Sequence, residues 1–360
     1  MNRNHAGTVT DLLEVTATIQ AMDVSTKLFG AMVGVTDAAW TTGTYHDVSE
    51  IKEVDLIGVI KDATAEDIAK TVIARKAKVN GFTYTYSVDG DATEEYTLQS
   101  TDKRWFKYDV VVDKFPGKTS QPYTYTLSQT PITLKNGNRL VAVKINGEYQ
   151  TEVASSPTAG QYSVSGTTLT LGQSQAAGDS VVAVYHANVA GNNWADITDN
   201  TIPAAIRGKN IPVKIAANAI ERVQSVTIRG TFPTTAVREM GNTEVVGYIT
   251  APTTVEGDIS VLDTDLELMA LFTTGSTNPA DVEFRACEFT ASGISLEINI
   301  YDPTTDCNLP LASGTILKTL YIPSLTITSE GHSTSVGGNA TQTFGFRSTT
   351  GELRIYKGAR

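Results

Sequence analysis

Residues 221–260 read ERVQSVTIRGTFPTTAVREMGNTEVVGYITAPTTVEGDIS. Apolar and polar residues alternate through VQSVTIRG and again through TEVVGYI, the period-2 pattern of strands with one buried face. The alternation breaks at Arg238-Glu239-Met240-Gly241, where opposite charges sit beside a glycine. The stretch contains no His and no Cys. A long patterned β segment without a candidate catalyst reads either as an enzyme scaffold with its site elsewhere or as a surface that meets another copy of the chain. On the second reading Arg238, Glu239, Met240 and Gly241 are the candidate inter-subunit contact, with a solvated turn as the equal alternative.

The whole chain supports a β reading. Its 360 residues are 41% hydrophobic and 19% charged, ordinary values for a folded protein, and 14 are Tyr. Thr, Val and Ser are abundant, and β-branched and aromatic side chains suit a pleated, half-buried surface. The net charge is -11 and the pI about 4.9. That balance opposes non-specific nucleic-acid binding, which needs cations to displace counterions from phosphate. An acidic surface gives solubility, or a passage through which nucleic acid slides without adhering. Cys287 and Cys307 make no disulfide framework and read as buried thiols. MNRNHAGTVTDLLEV has no apolar core of the signal-peptide kind, and no run of 18 apolar residues occurs, so no membrane binding is expected.

Two helices are expected in the first hundred residues. Leu12, Val15, Ile19 and Met22 recur near the helical period, though Thr and Val dilute that pattern. From Asp62 to Lys76, DATAEDIAKTVIARK offers Thr64 as a cap, Glu66 and Asp67 in the first turn, and Arg75 and Lys76 in the last. Strands follow at FTYTYSV, EEYTLQS and RWFKYDVVV, with a turn at Asp89-Gly90. A later helix is expected where Thr264-Asp265-Leu266-Glu267 forms a capping box, with Leu266, Met269 and Ala270 as its apolar stripe and Gly275 as its stop. CEFTASGISLEINIYD reads as a hairpin, and ILKTLYIPSLTITSEGH and ATQTFGFRSTTGELRIYK as closing strands.

Between these lie YTYTLS, RLVAVKINGEYQ, GQYSVSGTTLTLG and GDSVVAVYHA, short strands punctuated every 8–12 residues. They define an inserted small β-sandwich over 120–192, which splits the main domain into 1–119 and 193–360. Read as a surface module, the segment could be excised with assembly intact.

No reactive centre is legible. His5, His46, His186 and His332 lie far from one another and from Cys, so no zinc spacing exists and no metal or cofactor is expected. VDGDATEE gathers Asp89, Asp91, Glu94 and Glu95 but fails the calcium-loop frame, and reads as a turn leading into a solvated strand start. Asp263, Asp265 and Glu267 suit a helix N-terminus. Phosphate-binding, dinucleotide and serine-elbow motifs are missing. The expectation is not an enzyme.

VQSVTIRGTF, VREMGNTEVVGYI and PTTVEGDISVLDTDLELMALFTTG together resemble the bacteriophage major tail (tail tube) proteins, and KVNGFTYTYSVDGDATEEYTLQ resembles a tube-sheet hairpin. The likeness covers roughly residues 70–112 and 200–360. VAVKINGEYQ, GQYSVSGTTLTL and AAGDSVVAVYHA resemble a small β module that recurs in phage tail and fibre proteins. The resemblance implies a mainly β, tail-tube-type sandwich or barrel with a short flanking helix. It implies homo-hexameric rings stacked into a tube through which phage DNA passes. The partners implied are further copies, the tail terminator, the baseplate or tip, and a sheath if the tail contracts. The location implied is the virion tail, assembled in the host cytoplasm. Another virion β protein (decoration, terminator or fibre-associated) is the alternative.

Overall fold

Period-2 alternation becomes strand even where a helical spacing competes with it. The computed structural model describes residues 15–37, 39–61, 68–107, 110–187, 205–237, 239–240, 247–262, 267–274, 283, 285, 293–303, 314–334 and 340–360. Strand β1 (Val15–Met22) replaces the first expected helix, its side chains alternating half-buried and exposed. VTATIQAM satisfies both periods at Val15 and Ile19, whereas Met22 fits only the helical one and is exposed in the strand, and the β-branched Thr16 and Thr18 tip the balance; Leu12 lies outside the described residues. The helix comes later as α1 (Lys27–Val33), which buries Phe29, Met32 and Val33 and ends at Gly34 in the left-handed region, φ 80°.

The second expected helix is also corrected. After β2 (Tyr45–Asp47) and β3 (Val54–Lys61), strand β4 runs from Ile68 to Ser87, taking in Ile68–Lys76. Residues 62–67, including Thr64, lie outside the described residues. Basic residues near a segment's end do not distinguish helix from strand, whereas Thr71-Val72-Ile73 favours the pleat. Long-range pairing decides: β4 is flanked over this half by β3 and by β6 (Asp102–Lys107), and Ile73 is fully buried. Its second half pairs with β5 (Thr93–Ser100).

The small sandwich starts earlier than residue 120. Its first strand is β7 (Val110–Pro116), which pairs with β14 (Ser180–His186). Between them come β8 (Thr124–Thr126), β9 (Ala142–Ile145), β10 (Glu148–Tyr149), β11 (Thr151–Glu152), β12 (Gln161–Ser165) and β13 (Thr168–Leu171). One sheet runs β10-β9-β14-β7 and the other β11-β12-β13-β8. Asn146 and Gly147, both at positive φ, make the β9–β10 turn that NG dictates. Leu127, Tyr162, Leu169, Val181 and Tyr185 fill the space between the sheets. The outer face of the β14 sheet is covered too: Val110, Ala142 and Val184 pack on Ile73 of β4. That double burial explains the unbroken apolar run VVAVY in β14. Lys144 crosses the seam to Asp55 at 3.1 Å, and the Tyr149 hydroxyl donates to the same carboxylate.

The remaining strands are β15 (Val213–Ile215), β16 (Asn218–Ile220), β17 (Val223–Thr231), β18 (Thr234–Val237), β19 (Gly247–Thr250), β20 (Thr254–Leu262), β21 (Ile294–Tyr301), β22 (Ile316–Ser333), β23 (Thr341–Ser348) and β24 (Arg354–Lys357). Helix α2 (Glu267–Thr274) appears where a helix is expected. It buries Leu268, Leu271 and Phe272, the last edge-on to Phe344 at 4.9 Å between ring centroids. Met269 and Ala270 of the expected stripe pack inward as well, while Thr264, Asp265, Leu266 and Gly275 lie outside the described residues. The main sheet runs β1-β5-β4-β17-β20-β23-β22-β21-β15-β16, antiparallel at each pairing, with β24 joining β22 to β2. The protein is mainly β, built from largely antiparallel sheets packed as sandwiches, with β11–β12 a parallel pairing in the small one.

The main sheet curls until the end of β1 meets β22. Lys318 on β22 contacts Asp23, the residue after β1, although six strand pairings separate β22 from β1. A flat sheet would hold those strands roughly 29 Å apart, at about 4.8 Å per pairing. Tyr84, Tyr96, Ile228, Ile259, Ile298 and Phe346 line the space enclosed.

Candidate assembly surface

The break at 238–241 sits at the end of a ribbon. Strands β18 and β19 pair only with each other among the described strands, from Thr234↔Thr250 to Val237↔Gly247. Neighbouring β17 does not join them; it pairs with β4 and β20. The ribbon leaves the main sheet after Phe232, and the Ala251 N–H donating to Pro233 O at 2.9 Å closes its base. Lys78 places its ammonium over the Tyr248 ring, 5.3 Å from the centroid, which ties the base to β4.

Of the four candidate contact residues, Glu239 and Met240 are described and exposed, while Arg238 and Gly241 lie outside the described residues. Met240 is 99% exposed, the most of any large hydrophobic described, and Ile249 on the ribbon is 66% exposed. Water contact over an apolar side chain of this size is unfavourable by about 1.5–3 kcal/mol relative to burial. At the sheet's far end, β1 hydrogen-bonds only β5 among the described strands and presents Thr16, Thr18, Gln20 and Met22 outward. An edge with a free row of backbone donors and acceptors is a template for another strand.

The described histidines are dispersed and each is already engaged. His46 Nδ1 lies 2.6 Å from Glu50, His332 Nε2 lies 2.7 Å from Glu330, and His186 packs beside the Phe106 ring. His5, Cys287, Cys307, Asp263 and Asp265 lie outside the described residues. Among the described residues no three His, Cys, Asp or Glu groups converge as metal ligands. An open cleft of about 610 Å³ lies beneath the ribbon, lined by Asp47, Lys78, Phe232, Pro252 and Glu352 among others. Burial raises the Asp47 carboxyl, but its Oδ1 is already engaged by the Ser49 N–H at 2.9 Å as a turn cap. The acidic turn resolves unevenly. Asp91 pairs with Arg207 at 3.3 Å, whereas Glu94, expected at a solvated strand start, is buried. The signal was present: in TEEYTLQS the alternation puts Glu94 on one face with Tyr96 and Leu98, both core residues.

No protein-family model matches the chain, and no curated protein matches its sequence.

Proposed function

We propose that this chain is the structural subunit of a phage tail tube, a non-enzymatic β protein whose copies close into six-membered rings that stack around a DNA channel. The observation that carries the reading is the isolated ribbon bearing Met240 and Ile249. Such an apolar projection is stabilised when a neighbouring copy covers it. A contact between the ribbon of one copy and a different surface of the next is heterologous, the kind that closes rings or propagates filaments. The open β1 edge supplies a second such contact, joining sheets across subunits. A net charge of -11 suits a wall past which DNA moves without counterion-release attraction. The small sandwich faces outward in this arrangement, clear of the channel. Its partners are the tail terminator, the baseplate or tip, and a sheath if the tail contracts, with assembly in the host cytoplasm and residence in the virion.

Sedimentation velocity on the concentrated protein and on a Met240→Asp variant tests this reading. The native chain is expected to run as rings or longer species, and the variant as a folded monomer. Indistinguishable sedimentation of the two would remove the ribbon from the assembly contact.

A further inference from the structure

Lys318, Asp23 and Glu94 form a group that the assembly reading leaves unused. Three separate chain segments deliver them: β22, the residue after β1, and β5. The Lys318 and Asp23 side chains are 0% exposed and that of Glu94 is 3% exposed. Lys318 Nζ lies 2.6 Å from Asp23 Oδ1 and 3.3 Å from Glu94 Oε2. The other Asp23 oxygen, Oδ2, accepts from the Tyr86 hydroxyl at 2.6 Å. The Tyr84 ring flanks the amine, 4.6 Å from its centroid. Asp23 is also held through its backbone, donating its N–H to Ala92 O at 2.9 Å.

Two carboxyls around one buried amine is a poor structural ion pair, since full ionisation leaves an uncompensated negative charge away from water. The arrangement is a good reactive one. Contact with Oδ1 puts Nζ beside Cγ, the carbon bonded to that oxygen, in a fixed geometry that water does not enter. The Tyr86 hydroxyl polarises the carboxyl from the far side, as a donor to a developing oxyanion would. Burial, opposed by Lys318, leaves the Glu94 carboxyl raised to about 7, so near neutral pH it can take up a proton and give one back.

We propose that Lys318 and Asp23 become joined by an intramolecular isopeptide bond, with Glu94 as the proton carrier. A proton first passes from the ammonium to Asp23 Oδ1, leaving a neutral amine against a carboxylic acid. The amine lone pair attacks Cγ, and the C–N bond forms. Glu94 takes a proton from the nitrogen and returns one to the departing oxygen, and the Cγ–Oδ1 bond breaks. Ammonium plus carboxylate becomes amide plus one water, with no oxidant, cofactor or change in net charge. The bond ties the end of edge strand β1 to β22, so the sheet's curl is closed covalently and β1 cannot peel away under load. This inference is independent of the tube reading.

Mass spectrometry of the folded, full-length protein after denaturation tests it. The expected mass is one water below that of the sequence. Trypsin is expected to release a branched peptide joining 4–27 to 286–347, because Lys318 is no longer a cleavage site. Lys318→Arg and Asp23→Ala are expected to restore full mass, and Glu94→Gln, which keeps the shape of the side chain, to stop or greatly slow the loss of water. If these variants fail to fold, the native mass and the branched peptide still decide. Full sequence mass in the folded native protein overturns the proposal. So does a water loss located elsewhere, such as a succinimide at Asp89-Gly90.

Discussion

Lys318 Nζ sits 2.6 Å from Asp23 Oδ1 with neither side chain exposed, although 295 residues and six strand pairings separate them. The contact lies where the curled main sheet closes on itself, in its core. Lys318→Met removes the cation and leaves Asp23 and Glu94 buried without a countercharge. Breaking a buried pair from one side costs about 3–5 kcal/mol, and loss of a covalent link would add to that. Denaturant midpoints are expected to fall accordingly for Lys318→Met, and to recover in large part when Asp23→Leu and Glu94→Gln are added. An unchanged midpoint in the single variant would show that the contact is not structural.

Glu94 makes stability depend on pH in a definite direction. Its carboxyl is raised from 4.5 to about 7 in the folded chain, first by burial. A group that binds its proton more tightly when folded stabilises fully below its unfolded value. That contribution is lost as pH rises from about 4.5 to 7 and stays absent above. The pH dependence of the difference between native protein and Glu94→Gln reports it, while the covalent link that the variant fails to form adds a constant offset. The native unfolding free energy is expected to fall relative to the variant by up to about 3 kcal/mol across that window. Parallel pH profiles would contradict the assignment.

Gly230 and Gly257 lie within the quoted β stretch, where a side chain has no room. A methyl at Gly230 would enter the Phe82 ring, and one at Gly257 would meet both Thr227 O and the Phe346 ring. Gly257→Ala is expected to destabilise by about 1–3 kcal/mol, the usual cost of overpacking, visible as a lowered thermal midpoint. A midpoint at or above the native value would mean that the β17–β20 spacing is looser than described.

Excision of 120–192 is expected to harm the protein, contrary to the surface-module reading of the sequence. It removes β14 and leaves β7 without its partner, and it uncovers Ile73 and Val110 along the seam. Expression of that deletion is expected to give aggregated product. A soluble, cooperatively folding deletion would show that the seam is dispensable.

The sequence revealed structure where the signal is local. Asn146-Gly147 fixes a turn by its own backbone preference, and FTYTYSV and TLTL carry their burial in their alternation. Residues 62–76 misled because a cap and end charges are also local, while the pairing of β4 with β3 and β6 is not. The partner of β17 was equally hidden, since a strand's period says which face is buried and nothing about which distant strand lies beside it. At the candidate contact, the polar break announced an exposed connector, but not that its two strands stand apart from the main sheet. Lys318 and Glu94 were readable as charges on core faces of alternating strands. Their meeting was not, because it follows from the curl of the sheet.

Electron microscopy of the concentrated, purified chain reads its self-assembly directly. Rings with an open centre, six copies around, and short stacks of them are expected, with the β18–β19 ribbon at the contact between copies. A monodisperse monomer at every concentration reached would contradict it.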